Sequence, residues 1–400
     1  MNRTGASRRL TRVNRFLVVS LAAGLLLAAC GGGEEAETGP VRIGGISDLT
    51  GFLAFLGQSQ KQMVELAVAE INSRGGVLGR QLEVQYVDGA SDPATWATRV
   101  RDLTGVPLII GGLTSAERDA IKAFATGNSL YIWPQLTEGE GECEDRMFTT
   151  GPVPEQQMVP FVDYLMDDLG ARSFYVIGSD YNFPRGVSAI VIPHIEEKGG
   201  TVIDEKYFPL DATDFSSLVA DVARDRPDAI FSNVIPPGAY SLIRQLNEAG
   251  LWNDVLYATP GSDEGWLSGV ERDQIAGLYS SLDYYESLTD PTTQSIISEY
   301  KKANPEGPPI TAAGGATGAY RGVQLWAAAV EEAGTTDPAE VEAFLDSATT
   351  DRSPGGPVRM VAETRHAAIP TYIGRFTTTG IDVLQPILPV REPTLTSCKQ

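Results

Sequence analysis

From residue 41 onward, short apolar runs alternate with longer amphipathic segments, and the pattern starts again near residue 150. The apolar runs have the length of buried strands, and the segments between them carry apolar residues at helical spacing. Alternating strands and helices are typical of parallel sheets, because each parallel crossover needs a connection about as long as a helix. The restart therefore predicts an α/β fold with two lobes, each a mostly parallel sheet flanked by helices.

The order of elements changes after residue 281, where consecutive helices and then a β-rich tail replace the alternation. We interpret this change as the chain crossing back to the first lobe and then again to the second. Several crossings predict a hinge of several strands rather than one linker. The predicted boundaries are 41–149 and 282–350 for lobe 1, and 150–281 and 351–395 for lobe 2.

Residues 1–29 have the features of an export signal, with five arginines ahead of a short apolar core. Leu27-Ala28-Ala29-Cys30 then precedes three glycines, a pattern typical of a bacterial lipoprotein whose cysteine is lipidated. A plain secretory peptide is the alternative. Residues 30–40 are small, polar and charged, and they predict a flexible tether. We therefore expect an extracytoplasmic protein that meets the cell membrane only through a lipid on Cys30.

The charge of the chain argues against nucleic acid as a partner. The formal net charge is −21, and losing the five arginines of the signal would leave 26 basic against 52 acidic residues. A surface this negative repels phosphate backbones and anionic lipid heads. Besides Cys30 the chain holds Cys143 and Cys398, which an oxidising compartment would allow to pair. Their separation in sequence leaves that disulfide open.

Motifs for common catalytic chemistry are missing from the sequence. The only histidines are His194 and His366, and neither lies at a predicted strand end. There is no Gly-Lys dipeptide for a P-loop, no Gly-x-Ser-x-Gly elbow and no Gly-x-Gly-x-x-Gly after the first strand. We predict a protein that is not an enzyme and that carries no cofactor and no metal.

An acidic run follows the fourth predicted strand. It lacks the spacing of an EF-hand loop, and glycines alternate with the acids. We interpret it as a solvated loop, with calcium binding as the alternative. The run consists of Glu138, Glu140, Glu142, Glu144 and Asp145.

Ligands of open parallel sheets bind outside the carboxyl ends of strands, so the polar corners there are candidate sites. Thr114 to Glu117 reads as a capping box, in which Thr114 caps a helix and Glu117 reaches back. That arrangement leaves the Ser115 hydroxyl available in the first turn. Trp133 and Gln135 end another strand and point to the same side, as an aromatic and an amide for a small planar polar ligand.

The stretch Ser179 to Gly186, "SDYNFPRG", places two aromatic rings at a strand-to-helix corner, where Pro184 is expected to be the first helical residue. Phe183 has packing under the helix as an alternative role. Asp263 and Glu264 follow a later strand, and either would receive an α-ammonium group or cap the next helix. The predicted ligand-binding residues are Leu113, Thr114, Ser115, Trp133, Gln135, Tyr181, Phe183, Pro236, Ser262, Asp263 and Tyr285.

Several of these stretches together resemble one family. They are "VRIGGISDLTG", "AVAEINSRGGVLGRQLEVQYVDGASDP", "GGLTSAERDAI" and "GSDYNFPR", behind the lipoprotein sequence. The chain is similar over residues 41–375 to type I periplasmic solute-binding proteins of ABC importers, the Leu/Ile/Val-binding protein family. It looks nearest the urea and short-chain amide branch, whose corner Gly-Ser/Thr-Asp-Tyr-x-Tyr/Phe-Pro-Arg is matched by Gly178 to Arg185.

The resemblance implies a Venus-flytrap fold that closes on a small polar ligand, urea or a short-chain amide. It also implies an ABC permease of the branched-chain amino acid/urea type as partner, and a monomeric protein. Leu113 stands where that branch usually has an aromatic, and Gln135 is larger than the usual polar residue. Two alternatives are a binder of branched-chain or other amino acids for an ABC importer, and an extracytoplasmic ligand sensor without a transport role.

Overall fold

The structure of the protein is a computed structural model that describes residues 39–125, 127, 129–138, 145–388 and 390–391. From Pro40 onward the chain forms one compact unit. Its strands are β1 (Val41–Ser47), β2 (Leu82–Asp88), β3 (Leu108–Gly111), β4 (Leu130–Trp133), β5 (Met147–Thr149), β6 (Ser173–Ser179), β7 (Thr201–Phe208), β8 (Ala229–Asn233), β9 (Leu256–Thr259), β10 (Tyr279–Leu282), β11 (Thr349–Thr350), β12 (Val358–Val361), β13 (His366–Ala368), β14 (Thr371–Phe376) and β15 (Ile381–Ile387).

The helices lie between the strands much as the sequence periodicity predicts. They are α1 (Ala54–Ser73), α2 (Pro93–Arg99), α3 (Ser115–Ala125), α4 (Met158–Asp167), α5 (Asn182–Glu197), α6 (Ser216–Asp225), α7 (Gly238–Glu248), α8 (Arg272–Ile275), α9 (Pro291–Ala303), α10 (Ala316–Ala333) and α11 (Pro338–Leu345). No described helix is both long enough and apolar enough to cross a membrane.

The strands form two sheets. One has the order β11-β12-β13-β5-β4-β3-β1-β2, and the other has the order β15-β14-β10-β9-β8-β6-β7. The central strands of both sheets pair in parallel. Every residue of β3, β4 and β8 is buried, which fits central parallel strands covered by helices on both faces. The predicted α/β fold with two lobes is confirmed.

The late part of the chain returns to the second sheet later than residue 351, the boundary that the sequence pattern suggested. β12 pairs with β13, and His366 of β13 pairs with Thr149 of β5, so the chain stays in the first sheet up to Ala368. β14 then joins β10 of the second sheet in antiparallel register. The periodicity of short antiparallel strands does not reveal which sheet they extend, because pairing partners lie far apart in sequence.

The buried guanidinium of Arg321 lies where the chain passes between the sheets. The Arg321 side chain, on α10, is fully buried; it donates to the Thr150 carbonyl at 3.1 Å and to the Ser353 hydroxyl at 3.2 Å. It also forms an ion pair with Asp283, whose side chain is 1% exposed. Thr150 and Asp283 begin two of the segments that connect the sheets. One side chain therefore fixes two crossings of the hinge to α10.

The first turn of α9 begins with a carboxylate cap. Asp290 accepts a hydrogen bond from the Thr293 N–H at 2.9 Å, and Pro291 occupies the first helical position. Asp290→Ala should lower the free energy of unfolding by about 1 kcal/mol, because that N–H loses its partner. Asp290→Asn should stay close to the parent protein. Urea unfolding of the three proteins tests this, and equal losses from both substitutions would contradict the cap.

Candidate functional site

Residues that follow strands of both sheets meet in the space between the lobes, which we call the cleft. Asp263, which follows β9, accepts a hydrogen bond from the Ala313 N–H at 3.0 Å, and Ala313 lies in a short 3-10 turn that contacts α1. On another side of the cleft, a Cβ on Gly186 of α5 would lie 2.6 Å from the Cβ of Glu138, which follows β4. The lobes therefore touch at both places, with the predicted corners between them.

The first-lobe corner, Leu113 to Ser115 with Glu117, contains one half of the capping box that the sequence predicts, the bond from Glu117 back to Thr114. Glu117 accepts hydrogen bonds from the N–H groups of Leu113 at 3.1 Å and Thr114 at 2.8 Å. Ser115 begins α3 and is 3% exposed. Glu117 therefore holds the Leu113 and Thr114 N–H groups inside the protein, and contact of Leu113, Thr114 or Ser115 with a ligand stays a prediction.

The structure brings Glu138 into this corner, a residue that sequence reasoning missed. Arg118 binds its carboxylate through two hydrogen bonds, of 2.9 and 3.0 Å, and the Glu138 side chain is only 12% exposed. Burial would raise the pKa of Glu138, but hydrogen bonds from Arg118 and Ser115 and the Arg118 charge bring it below its usual range. The interpretation of a solvated acidic run is thus wrong for Glu138, whereas Asp145 is 97% exposed.

Trp133 and Gln135 are turned toward the protein interior. The Trp133 ring, 1% exposed, lies under Arg118 with 5.4 Å between the guanidinium carbon and the ring centroid. Its indole N–H points to the Leu136 carbonyl at 3.4 Å, and the Gln135 side-chain oxygen accepts from the Leu136 N–H at 2.8 Å. Trp133 therefore positions Arg118 in this structure, and direct contact of Trp133 and Gln135 with a ligand stays a prediction.

Tyr181 and Phe183 form the second-lobe corner. Their ring centroids are 6.4 Å apart, and the planes are inclined by 24°. Phe183 packs partly on the core, as its alternative role anticipated. Burial raises the pKa of the Tyr181 hydroxyl, and the carboxylates of Glu138 and Glu117 across the cleft add to that effect. Helix α5 begins at Asn182, so Pro184 is its third residue and not, as predicted, its first.

Three polar side chains at the ends of β8 and β9 have orphaned atoms. Asn233 is 6% exposed, and neither its amide nitrogen nor its oxygen finds a partner among the described residues. The same holds for the hydroxyl of buried Ser262 and for the Oε2 atom of Glu264. Polar groups of this kind normally have partners when buried. The signal for Asn233 was present in the sequence, as an amide that ends a short, mostly apolar strand.

The remaining predicted residues have protein partners or lie at the edge of this cluster. Asp263 accepts from the Gly265 N–H at 2.9 Å as well as from Ala313, so its capping role is realised. Burial raises the pKa of Asp263 to about 6. Tyr285 is buried, with its hydroxyl 2.7 Å from the Ser280 hydroxyl. Pro236 is half-buried and joined to the next residue by a cis peptide bond.

The predicted lipidation site and disulfide lie outside the described residues, since Cys30, Cys143 and Cys398 all belong to segments that the structure does not describe. Both remain predictions. Within the described ranges, no three or more acidic, histidine or cysteine side chains are grouped so that they could hold a metal ion.

The buried Glu117 carboxyl should make stability depend on pH. Burial, and then the Asp48 carboxylate, raise its pKa from the ordinary 4.5 to about 8. Between these values the folded protein binds more protons than the unfolded chain, so stability falls as pH rises, by at most about 1.4 kcal/mol per pH unit. Glu117→Gln should flatten this decline in urea unfolding between pH 5 and 8.5. Parallel profiles of parent and variant would contradict the assignment.

Comparison with known proteins decides the family. A family model described as a periplasmic binding protein matches residues 40–380. The chain belongs to this family. It is a type I periplasmic binding protein, a solute-binding protein of ABC transporters, and such proteins bind solutes for transport rather than act as enzymes. The family assignment suggested by the sequence is confirmed, while the comparisons do not single out the urea and amide branch.

Two curated relatives illustrate the sequence similarity. The "Leu/Ile/Val-binding protein homolog 3" of Brucella melitensis is 24% identical over 80% of this chain and 86% of its own length. The leucine-, isoleucine-, valine-, threonine- and alanine-binding protein of Pseudomonas aeruginosa is 24% identical over 79% of this chain and 84% of its own. The match therefore spans nearly all of the two-lobed part.

Solved structures of periplasmic binding proteins share the fold. A solute-binding protein from R. palustris in complex with benzoate has a TM-score of 0.79 at 20% identity, covering 90% of this chain and 100% of that one. A leucine-binding protein from Thermotoga maritima has a TM-score of 0.77 at 20% identity, with 87% and 99% covered. At this identity the similarity concerns the fold alone, and the ligand must be argued from the cleft.

Proposed function

We propose that this protein is the lipid-anchored, extracytoplasmic receptor of an ABC importer, and that it binds urea or a short-chain amide between its lobes. The observation that carries the choice of ligand is the buried amide of Asn233, with neither its donor nor its acceptor partnered by a described residue. Leaving such a group unsatisfied costs about 1–3 kcal/mol. A ligand that satisfies it stabilises the closed protein by that amount.

The chemistry of Asn233 matches an amide. The side chain offers an N–H donor and a carbonyl acceptor side by side. Urea and primary amides present the complementary pair, so the two groups can exchange two hydrogen bonds. A carboxylate offers acceptors only and would leave the Asn233 oxygen unsatisfied. The Ser262 hydroxyl and Glu264 Oε2, orphaned near the same strand ends, provide further partners for ligand N–H groups.

An amino acid is the second candidate, favoured by Glu264. Burial, followed by the charge of Asp263, raises the pKa of Glu264 to about 8, and only one of its oxygens accepts a protein hydrogen bond, from the Glu286 N–H at 2.6 Å. An α-ammonium group would compensate a buried carboxylate well. The relatives named for leucine, isoleucine and valine support the same candidate.

Binding would act by a shift of population. A ligand that contacts both Ser115 in one lobe and Asn233 in the other stabilises only the arrangement in which the cleft is closed. We infer that the lobes rotate as rigid units about the connecting segments, and that an ABC permease recognises the closed form. If the gene for this protein lies beside a permease gene, that arrangement would favour a role in transport over a role as a sensor.

Thermal unfolding with added solutes tests the ligand class. Urea at low millimolar concentration, formamide, acetamide and the twenty amino acids are compared, and a binding solute should raise the unfolding midpoint by mass action. An increase with urea or an amide supports the first candidate. An increase with leucine or valine alone would replace it by the second. Tyr181→Ala should weaken the shift without lowering the midpoint of the unliganded protein by more than about 2 °C.

A further inference from the structure

Glu138 occupies the centre of the first-lobe corner, although it belongs to a loop. Its carboxylate lies against Arg118 at 2.9 and 3.0 Å and near the Ser115 hydroxyl. From the other lobe, Gly186 approaches it so closely that a Cβ there would lie 2.6 Å from the Glu138 Cβ. Tyr181 is close enough for the Glu138 charge to affect its ionisation. The side chain thus lies between predicted ligand-binding residues of both lobes.

The Arg118 guanidinium is buried and oriented in a way that suits the binding of a carboxylate. Its side chain is 3% exposed, and its guanidinium rests over the Trp133 ring at 5.4 Å, so its orientation does not depend on Glu138 alone. A buried, oriented guanidinium binds a planar carboxylate through two parallel hydrogen bonds. In this protein the carboxylate that it binds belongs to the same chain.

We propose that Glu138 is a built-in occupant of the carboxylate-binding site on Arg118, and that it makes the cleft select amides over carboxylates of the same shape. This inference rests on the proposed function, since it concerns the solute bound beside Ser115 and Tyr181. It assigns to Glu138 the role of a specificity-determining residue.

The selectivity follows from charge and from occupancy. A carboxylate entering the corner meets the buried, ionised carboxylate of Glu138, whose side chain is 12% exposed. Like charges at close range in a buried site repel strongly. The guanidinium that would compensate an incoming anion is already engaged in two hydrogen bonds. A neutral amide of the same size meets neither penalty, because it carries no charge and does not need the Arg118 guanidinium.

Matched pairs of amide and acid test the proposal. Acetamide and acetate, propionamide and propionate, and benzamide and benzoate have nearly the same shape and differ in charge. Their affinities for the parent protein, Glu138→Ala and Glu138→Gln are measured by calorimetry at pH 7.5. Glu138→Ala should strengthen carboxylate binding roughly 10- to 100-fold and change amide binding by less than about threefold. Glu138→Gln keeps the side-chain volume and should move the same ratio by a smaller factor.

Two controls separate this role from a structural one. Asp180→Ala removes a half-exposed acid of the same corner that pairs with Arg185, and it should leave the amide-to-acid ratio within about threefold of the parent. The double variant Arg118→Met with Glu138→Leu should lose the gain in carboxylate binding, because the guanidinium is gone. An equal gain in that double variant overturns the proposal, as does a parent protein that binds acids as tightly as amides.

The experiment distinguishes failure of this inference from failure of the proposed function. If the parent binds an amide and Glu138→Ala leaves the amide-to-acid ratio unchanged, the inference fails and the proposed function stands. If no amide binds the parent but Glu138→Ala acquires carboxylate binding, the proposed ligand class fails and Glu138 is still the occupant of the Arg118 site.

Discussion

Arg321→Met should lower the free energy of unfolding by about 3–5 kcal/mol, the largest loss expected from any single substitution considered above. Arg321 and Asp283 are 0% and 1% exposed, and the pair lies where two connecting segments meet α10. Removing the guanidinium leaves the Asp283 carboxylate buried with the Thr317 hydroxyl, at 2.7 Å, as its remaining described hydrogen-bond donor. It also strips the Thr150 carbonyl of a donor. Since whole domains are stable by only about 5–15 kcal/mol, this loss removes a large share of the total.

Urea unfolding measures this loss, and two further variants identify its cause. The double variant Arg321→Met with Asp283→Leu should recover a large part of the stability, because no uncompensated charge stays buried. Arg185→Gln removes an ion pair whose partners are 53% and 50% exposed, and it should change stability by less than about 1 kcal/mol. If Arg321→Met is no more harmful than Arg185→Gln, the buried pair does not hold the hinge.

The alternation of apolar and amphipathic segments was sufficient to predict the two sheets and nearly all helices. The start of helix α9 at Pro291 is an example of an end that the sequence marks locally, through a capping residue and a proline. Asp290 followed by Pro291 is such a mark. By contrast, β12 and β13 extend the first sheet through pairing with β5, a contact between residues more than 200 positions apart that no local pattern records.

The sequence allowed prediction of those site residues that directly follow a strand. It did not allow prediction of residues that contacts from a distant part of the chain bring into the site. Ser115 follows β3 and Tyr181 follows β6, so both lie beyond the carboxyl ends of parallel strands, where the sequence pattern predicts ligand-binding residues. Glu138 looked like one acid among several in a glycine-rich loop, and only Arg118, from a helix 20 residues earlier, gives it a buried partner. Trp133 ends a strand as predicted, but its ring is buried against the Arg118 guanidinium. The interactions of Arg118 therefore determine the positions of Glu138 and Trp133, which the sequence pattern did not predict.

Asn233→Leu should change two properties in opposite directions. In the unliganded protein the substitution should raise the free energy of unfolding by about 1 kcal/mol, because it replaces an unsatisfied buried amide with an apolar side chain of similar volume. It should weaken binding of the natural solute by about 100-fold or more, because the ligand then faces two lost hydrogen bonds and its own polar groups remain unpaired. Urea unfolding and calorimetry measure the two effects separately.

Asn247 provides the matched control on α7 of the same lobe. Its amide nitrogen donates to the Ile243 carbonyl at 2.8 Å and to the Gln274 carbonyl at 2.9 Å, so it is a satisfied counterpart of Asn233. Asn247→Leu should lower stability by about 1–3 kcal/mol and leave affinity unchanged, since it strips two carbonyls of a donor far from the strand ends. If both substitutions destabilise alike and neither affects binding, the orphaned amide of Asn233 is not a ligand contact. Opposite signs in stability, together with loss of affinity in Asn233→Leu alone, would mean that this position sacrifices stability to hold the solute.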